Sequence, residues 1–245
     1  MKKILALACA ALLLLTAVAR AEFMVNEFTG FNVGGGIGGN DSFTKLLLHW
    51  DGSDASTTYV DSSSGAKTVT RIGTSEIDTA QSKFGGSSML NSTGSSGATI
   101  AASADFNMGS GDFTYDFWVR FTGTARGTIF TMGSGNDYLV ITPSSGLIEV
   151  NSAAGGAIIT AGATAFSTAT WYHLMLRRSG TSWVLFRDCV SYVTATSSTA
   201  YGTSTDLFRI GSYTNNAIHT DGWLEEFRVS KGVARDCVLE TQPYD

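Results

Sequence analysis

Residues 113–121 read FTYDFWVRF. In an extended chain, Phe113, Tyr115, Phe117, Val119 and Phe121 point to one side, and Thr114, Asp116, Trp118 and Arg120 to the other. This two-residue period predicts a β-strand with one face in a core. The second face carries a large aromatic between an acid and a base. Two readings of Trp118 stay open at this point. It is either a stacking platform for a sugar ring, with Asp116 and Arg120 beside it, or a side chain packed within the sheet.

Outward from this strand, short apolar runs recur between Gly, Ser, Thr and Asn turns. Strands are expected at Lys45–Trp50, Ser87–Leu90, Gly127–Met132, Tyr138–Thr142, Leu147–Asn151, Trp171–Arg178, Trp183–Arg187, Ser191–Thr196, Leu207–Ile210 and Trp223–Val229. Ser179-Gly180-Thr181-Ser182 links two of them as a hairpin, and Arg187-Asp188-Cys189 leads into a third strand. No segment has a capped 3.6-residue period, although Ser103–Phe106 suits one short helical turn. Only 15% of residues are charged, so Ser, Thr, Gly and Asn must cover the surface, which suits strands and turns. The expected fold is all-β, a two-sheet antiparallel sandwich in one domain over residues 44–245.

Residues 1–21 read as a secretory signal: Lys2 and Lys3, an apolar run from Ile4 to Val18 broken only by Thr16, then Ala19-Arg20-Ala21. Cleavage is expected before Glu22, giving a secreted, periplasmic or cell-surface protein. The run is too short to span a bilayer comfortably, and no second one follows. Cys9 precedes most of the apolar run, which argues against a lipoprotein signal. Met24 leaves open a signal placed ahead of an older start. Residues 22–43, with Gly34-Gly35-Gly36-Ile37-Gly38-Gly39, read as a flexible leader; no Lys-Ser or Lys-Thr pair follows to make a phosphate loop. Loss of Lys2, Lys3 and Arg20 takes the formal charge from -5 to -8, so neither nucleic acid nor an anionic membrane is expected as a partner. Cys189 and Cys237 then remain. In an oxidising compartment they are expected to pair rather than stay as separate thiols, though spacing alone does not show that they meet.

Several motifs, in this order, resemble the laminin G-like, concanavalin A-like lectin/glucanase jelly rolls. They are Leu46-Leu47-Leu48-His49-Trp50-Asp51-Gly52, Asp61-Ser62-Ser63-Ser64-Gly65, and Lys83-Phe84-Gly85-Gly86-Ser87-Ser88. Gly111-Asp112-Phe113-Thr114 with Phe117-Trp118-Val119-Arg120 follows, then Trp171-Tyr172-His173-Leu174, Arg178-Ser179-Gly180 and Gly222–Val229 with Ser230–Arg235. The resemblance runs from about Lys45 to the C-terminus and implies a jelly-roll sandwich. It also implies one calcium between the first and last strands, held by Asp51 and Glu225. The chain departs from the family at Glu225, where Asp is frequent, at Cys189, where Gly is frequent, and at Asp236, where an aromatic is usual. The two cysteines look like a local addition. Similar modules occur in phage structural proteins.

Glycoside hydrolases of this superfamily need two carboxylates facing one bond. Glu-x-Asp-x-x-Glu does not occur, and the adjacent Glu225 and Glu226 should point to opposite faces of a strand. On the same parity, Glu225 should share the core side with Phe227 and Val229, where a carboxylate needs a cation or donors. His49, His173 and His219 are scattered, and no Gly-x-Ser-x-Gly elbow appears. The chain is therefore expected to be non-catalytic. It is read as a binding module for a glycan or other surface polymer, with Trp118, Asp116 and Arg120 as the sheet candidates. Tyr213, Asn215 and Asn216 are the loop candidates, with His219 and Asp221 close behind. The alternative is a structural or interaction protein using the sandwich as a spacer or decoration, and an enzyme is the outsider. Oligomeric state is not legible in the sequence.

Overall fold

The computed structural model describes residues 39–245 apart from 93, 95, 135, 163, 203–205 and 215–217. The signal expected at residues 1–21 and the expected leader up to residue 38 lie outside the described residues. The strands are β1 (Thr44–Leu48), β2 (Val69–Ile72), β3 (Glu76–Asp78), β4 (Ser88–Asn91), β5 (Gly97–Ile100), β6 (Phe113–Phe121), β7 (Gly127–Met132), β8 (Asp137–Thr142), β9 (Leu147–Ser152), β10 (Gly156–Gly162), β11 (Trp171–Ser179), β12 (Ser182–Arg187), β13 (Val190–Thr196), β14 (Phe208–Ile210) and β15 (Gly222–Lys231). One 3-10 turn, Ala104–Phe106, is capped by Ser103, whose side chain accepts from the Asp105 amide.

The first sheet runs β13-β12-β11-β6-β15-β4-β3, with β1 also pairing to β15, and the second runs β10-β9-β8-β7-β14-β5-β2. All pairings are antiparallel. The two inner faces meet in one aromatic-rich core. In it Tyr115 stacks on Phe130 at 4.4 Å, Phe117 on Phe227 at 5.3 Å, and Phe113 packs edge-on against Trp183 at 5.1 Å. Such pairs add to area burial because ring edges and faces carry opposite partial charge. Every apolar residue of the Phe113–Phe121 face lies in this core, as the period requires.

The last strand departs from simple alternation. Its register against β6 shifts between Glu225 and Arg228, and Glu226 has φ 52°, so the strand carries a bulge. Leu224, Phe227 and Val229 still enter the core. Glu225, however, pairs with Trp118 and so stands on the outer side, not the core side. Glu226 reaches His49 and the Tyr244 amide on that same outer side. The expected opposition of the two glutamates fails because the bulge adds a residue without reversing the face.

The end of the expected leader is tied to the domain. Asp41 accepts from Arg235 at 2.6 Å and from the amides of Phe43 and Thr44, while the Phe43 carbonyl receives the Lys231 amide at 3.0 Å.

Candidate functional site

The outer face of the first sheet is covered by the chain itself. Beyond β15 the tail turns back: Thr114 Oγ1 donates to the Val233 carbonyl at 3.1 Å, and Arg235 donates to Ser230 Oγ at 2.7 Å. The Tyr244 ring lies 3.9 Å from the Arg228 guanidinium, and its hydroxyl lies 3.3 Å from His173 Nε2. A Cys189–Cys237 disulfide ties the β12–β13 turn to this tail. The pairing expected from the compartment is therefore present, with Cα atoms 5.2 Å apart.

Two of the three sheet candidates, Trp118 and Asp116, are removed from solvent, the first by the turn at residues 83–84 and the second beneath Arg228 and the tail. Trp118 is 4% exposed, with Phe84 edge-on at 5.6 Å, the Lys83 ammonium 4.2 Å over its ring and His173 at 5.3 Å. Asp116 is fully buried and takes a two-point ion pair from Arg228, with Nε–Oδ1 at 3.0 Å and Nη2–Oδ2 at 2.5 Å. Arg120 stays half-buried over the Trp223 ring at 5.1 Å. The platform expected at Trp118 and Asp116 is thus closed, because an aromatic among charges drew in a loop and the tail rather than facing water.

Asp51 and Glu225 flank the turn at residues 83–85. The amides of Lys83 and Phe84 donate to the two Glu225 oxygens, and Gly85, at φ 53°, sits so close that an added Cβ would collide with Asp51 Oδ1. Burial, followed by the nearby charges of Glu226 and Asp51, pushes the Glu225 carboxyl up to about 8 despite the two amides. Glu226 is held by His49 Nδ1 at 2.8 Å, a contact that raises the imidazole. Burial lowers His173.

The outer face of the second sheet is covered over its middle, where Thr128, Thr131 and Val140 are buried, while Arg209, Tyr138, Glu149 and Asn151 stay half-buried around it. One cross-strand row runs Thr70, Thr99, Arg209, Thr131, Tyr138, Asn151 and Ala157 over all seven strands. Val140 and Glu149 pair in the next row on the same face. Tyr138 is half-buried and meets Tyr213 edge-on at 6.0 Å. Arg126 grips Glu149 through two contacts, at 2.6 and 3.3 Å. Burial, then the Glu149 charge, pushes the Tyr138 hydroxyl up. Asn151 Nδ2 donates to the Asn136 carbonyl at 2.7 Å. The loop candidate Tyr213 therefore joins a sheet-borne cluster. His219 Nε2 and Asp221 Oδ1 lie 2.9 Å apart. Asn215 and Asn216 lie outside the described residues.

Sequence reasoning missed Arg126, Tyr138, Glu149 and Asn151. Part of their signal was present: Tyr138, Thr142, Glu149 and Asn151 alternate with Leu139, Ile141, Ile148 and Val150, but the apolar Val140 and Leu147 share their face and Arg126 lies outside both runs.

The sequence profile of the concanavalin A-like lectin/glucanases superfamily matches residues 91–236, and the chain belongs to that superfamily. No curated protein sequence matches it. Among solved structures it is similar to domain 4 of AbnA, a GH43 extracellular arabinanase from Geobacillus stearothermophilus, in complex with arabinotriose. Identity there is 15%, 79% of this chain and 94% of that one are covered, and the TM-score is 0.59. The binding domain of botulinum neurotoxin DC in complex with rat synaptotagmin II aligns at 14% identity, 80% and 49% coverage and TM-score 0.56. The binding domain of Paraclostridial Mosquitocidal Protein 1 aligns at 13%, 80% and 49%, and 0.53. The chain spans about half the length of those two toxin chains. At these identities the likeness is one of fold. No helix among the described residues is long and apolar enough to cross a membrane.

Proposed function

We propose that this chain is a non-catalytic binding module that takes a glycan or related surface polymer on the outer face of its second sheet. One observation carries the reading: the tail closes the first sheet's outer face, while the second presents Tyr138 and Tyr213 beside Arg126, Glu149 and Asn151. Paired aromatic rings suit the apolar side of a sugar, and amide, carboxylate and guanidinium groups suit its hydroxyls. Glu149 is turned to Arg126 rather than to a second carboxylate, which suits binding better than hydrolysis. The solved arabinotriose complex of a similarly folded domain supports this choice of ligand class. On an array of plant and microbial glycans, the wild-type chain should bind, and Tyr138→Ala should lose about tenfold in affinity, as removal of a central aromatic anchor does. Unchanged binding by Tyr138→Ala and Tyr213→Ala alike would overturn the placement.

The same proposal includes export, with Glu22 as the mature N-terminus, and a calcium ion at the rim between Asp51 and Glu225. The disulfide supports the first. Hard carboxylate oxygens gathered around the 83–85 turn support the second. Backbone carbonyls or water would have to complete the shell, since among the described residues no three acidic groups converge there.

A further inference from the structure

His173, in the middle of β11, is fully buried on the covered face of the first sheet. Its Nδ1 lies 3.8 Å from Cys189 Sγ and 3.7 Å from Cys237 Sγ. Among the described residues, these form the one group of three or more potential metal ligands within 4.8 Å of one another. A disulfide does not need an imidazole nitrogen set over both its sulfurs. A tetrahedral zinc site does. With Zn–S near 2.3 Å and Zn–N near 2.0–2.1 Å, the S–N edges come to about 3.6 Å, close to the two distances here, and the S–S edge to about 3.8 Å, which the sulfurs reach only once their bond is broken.

The surroundings hold this arrangement in place. Tyr244 lies 3.3 Å from Nε2, so Nδ1 is the nitrogen left facing the sulfurs. Asp188 Oδ1 accepts from the His173 amide at 2.9 Å, and the His173 carbonyl accepts from the Asp188 amide at 2.8 Å. Asp188 and Cys189 both have positive φ, 51° and 59°, in the two-residue turn between β12 and β13. Such turns favour glycine at the second position. A cysteine there carries a conformational cost, and its sulfur points back over β11 to the imidazole. Both sulfurs are only partly buried, so an ion has a way in.

We propose that reduction of Cys189–Cys237 converts this cluster into a zinc site with two sulfur ligands and one nitrogen, Cys189 Sγ, Cys237 Sγ and His173 Nδ1. An external dithiol gives two electrons and two protons to the bond, leaving two thiols and its own cyclic disulfide. Zinc then replaces the two thiol protons, which pass to solvent, and the imidazole donates its lone pair. In reverse, an oxidising disulfide takes two electrons from the thiolates, the S–S bond reforms and zinc leaves. The tail stays pinned to the β12–β13 turn in both states. The proposal does not depend on the glycan face.

The test compares the full chain, oxidised and after reduction with a phosphine. Cobalt should give a thiolate-to-metal charge-transfer band with the reduced chain only, and zinc should bleach it at one equivalent. X-ray absorption of the zinc-loaded reduced chain should show two sulfurs at about 2.3 Å and a shorter nitrogen. Cys237→Ser should lose most of the band, and His173→Gln should bind zinc at least about tenfold more weakly. No band with the reduced chain, or a zinc shell of oxygen and nitrogen alone, overturns the site. Because the absorption measurement uses the wild-type chain, it decides the matter even if His173→Gln does not fold.

Discussion

Asp116 and Arg228 form a fully desolvated ion pair between two strands, with no water-facing edge to soften an error. Removing one partner leaves a charge stranded in the sheet, so Arg228→Met should cost about 3–5 kcal/mol, whereas Asp116→Leu with Arg228→Met should recover much of that. Urea unfolding of these two variants beside the wild type checks both statements. Glu225 gives a pH signature. Its folded carboxyl sits near 8 against an ordinary 4.5, so the folded state holds the proton more tightly than the unfolded chain does. The stability this provides is complete below about pH 4.5 and is lost as pH rises through about 8. His49, also raised, loses its share in the same direction. Melting temperature should therefore fall from pH 5 to 8.5 in the wild type, and less steeply in Glu225→Gln. Calcium would have to displace the Glu225 proton, so its stabilising effect should grow with pH and vanish in Asp51→Asn. Equal melting temperatures in EDTA and in millimolar calcium at pH 8.5 would count against the rim site.

At the scale of elements, the tail acts as a sixteenth layer piece, docked by Arg235, Tyr244 and the disulfide rather than by strand pairing. Cys189 and Cys237 are 48 residues apart in sequence, and closing a loop of that size is worth about 4 kcal/mol on chain-entropy grounds. The Cys189→Ser, Cys237→Ser chain should unfold at lower denaturant by a comparable margin, measured without reductant or metal. Long periodic elements such as β6 and the β11–β12 hairpin were legible because alternation and a Gly-containing turn both point to them. Val69–Ile72, Glu76–Asp78, Gly97–Ile100 and Gly156–Gly162 were not, being short, polar or glycine-flanked; their pairing comes from neighbouring strands. The outward turn of Glu225 was hidden for another reason. A bulge breaks parity, and nothing in Glu225-Glu226-Phe227 announces one. Trp118 misled as a site because parity shows which face a side chain takes, not what later folds across that face.

For the whole molecule, the asymmetry between the two outer faces is the central fact. A sandwich usually offers two broad surfaces; here the chain spends its own tail on one, and on the other Thr131 and Val140 are buried while Arg209, Tyr138, Glu149 and Asn151 stay partly open beside an aromatic pair. The most direct test is a backbone-amide chemical-shift titration of the folded chain with a glycan that it retains on an array. The shifts should gather at Arg126, Tyr138, Glu149, Asn151 and Tyr213, with Asp116, Trp118 and His173 unmoved. Shifts centred on Trp118 and the tail, with the second sheet silent, would contradict this placement.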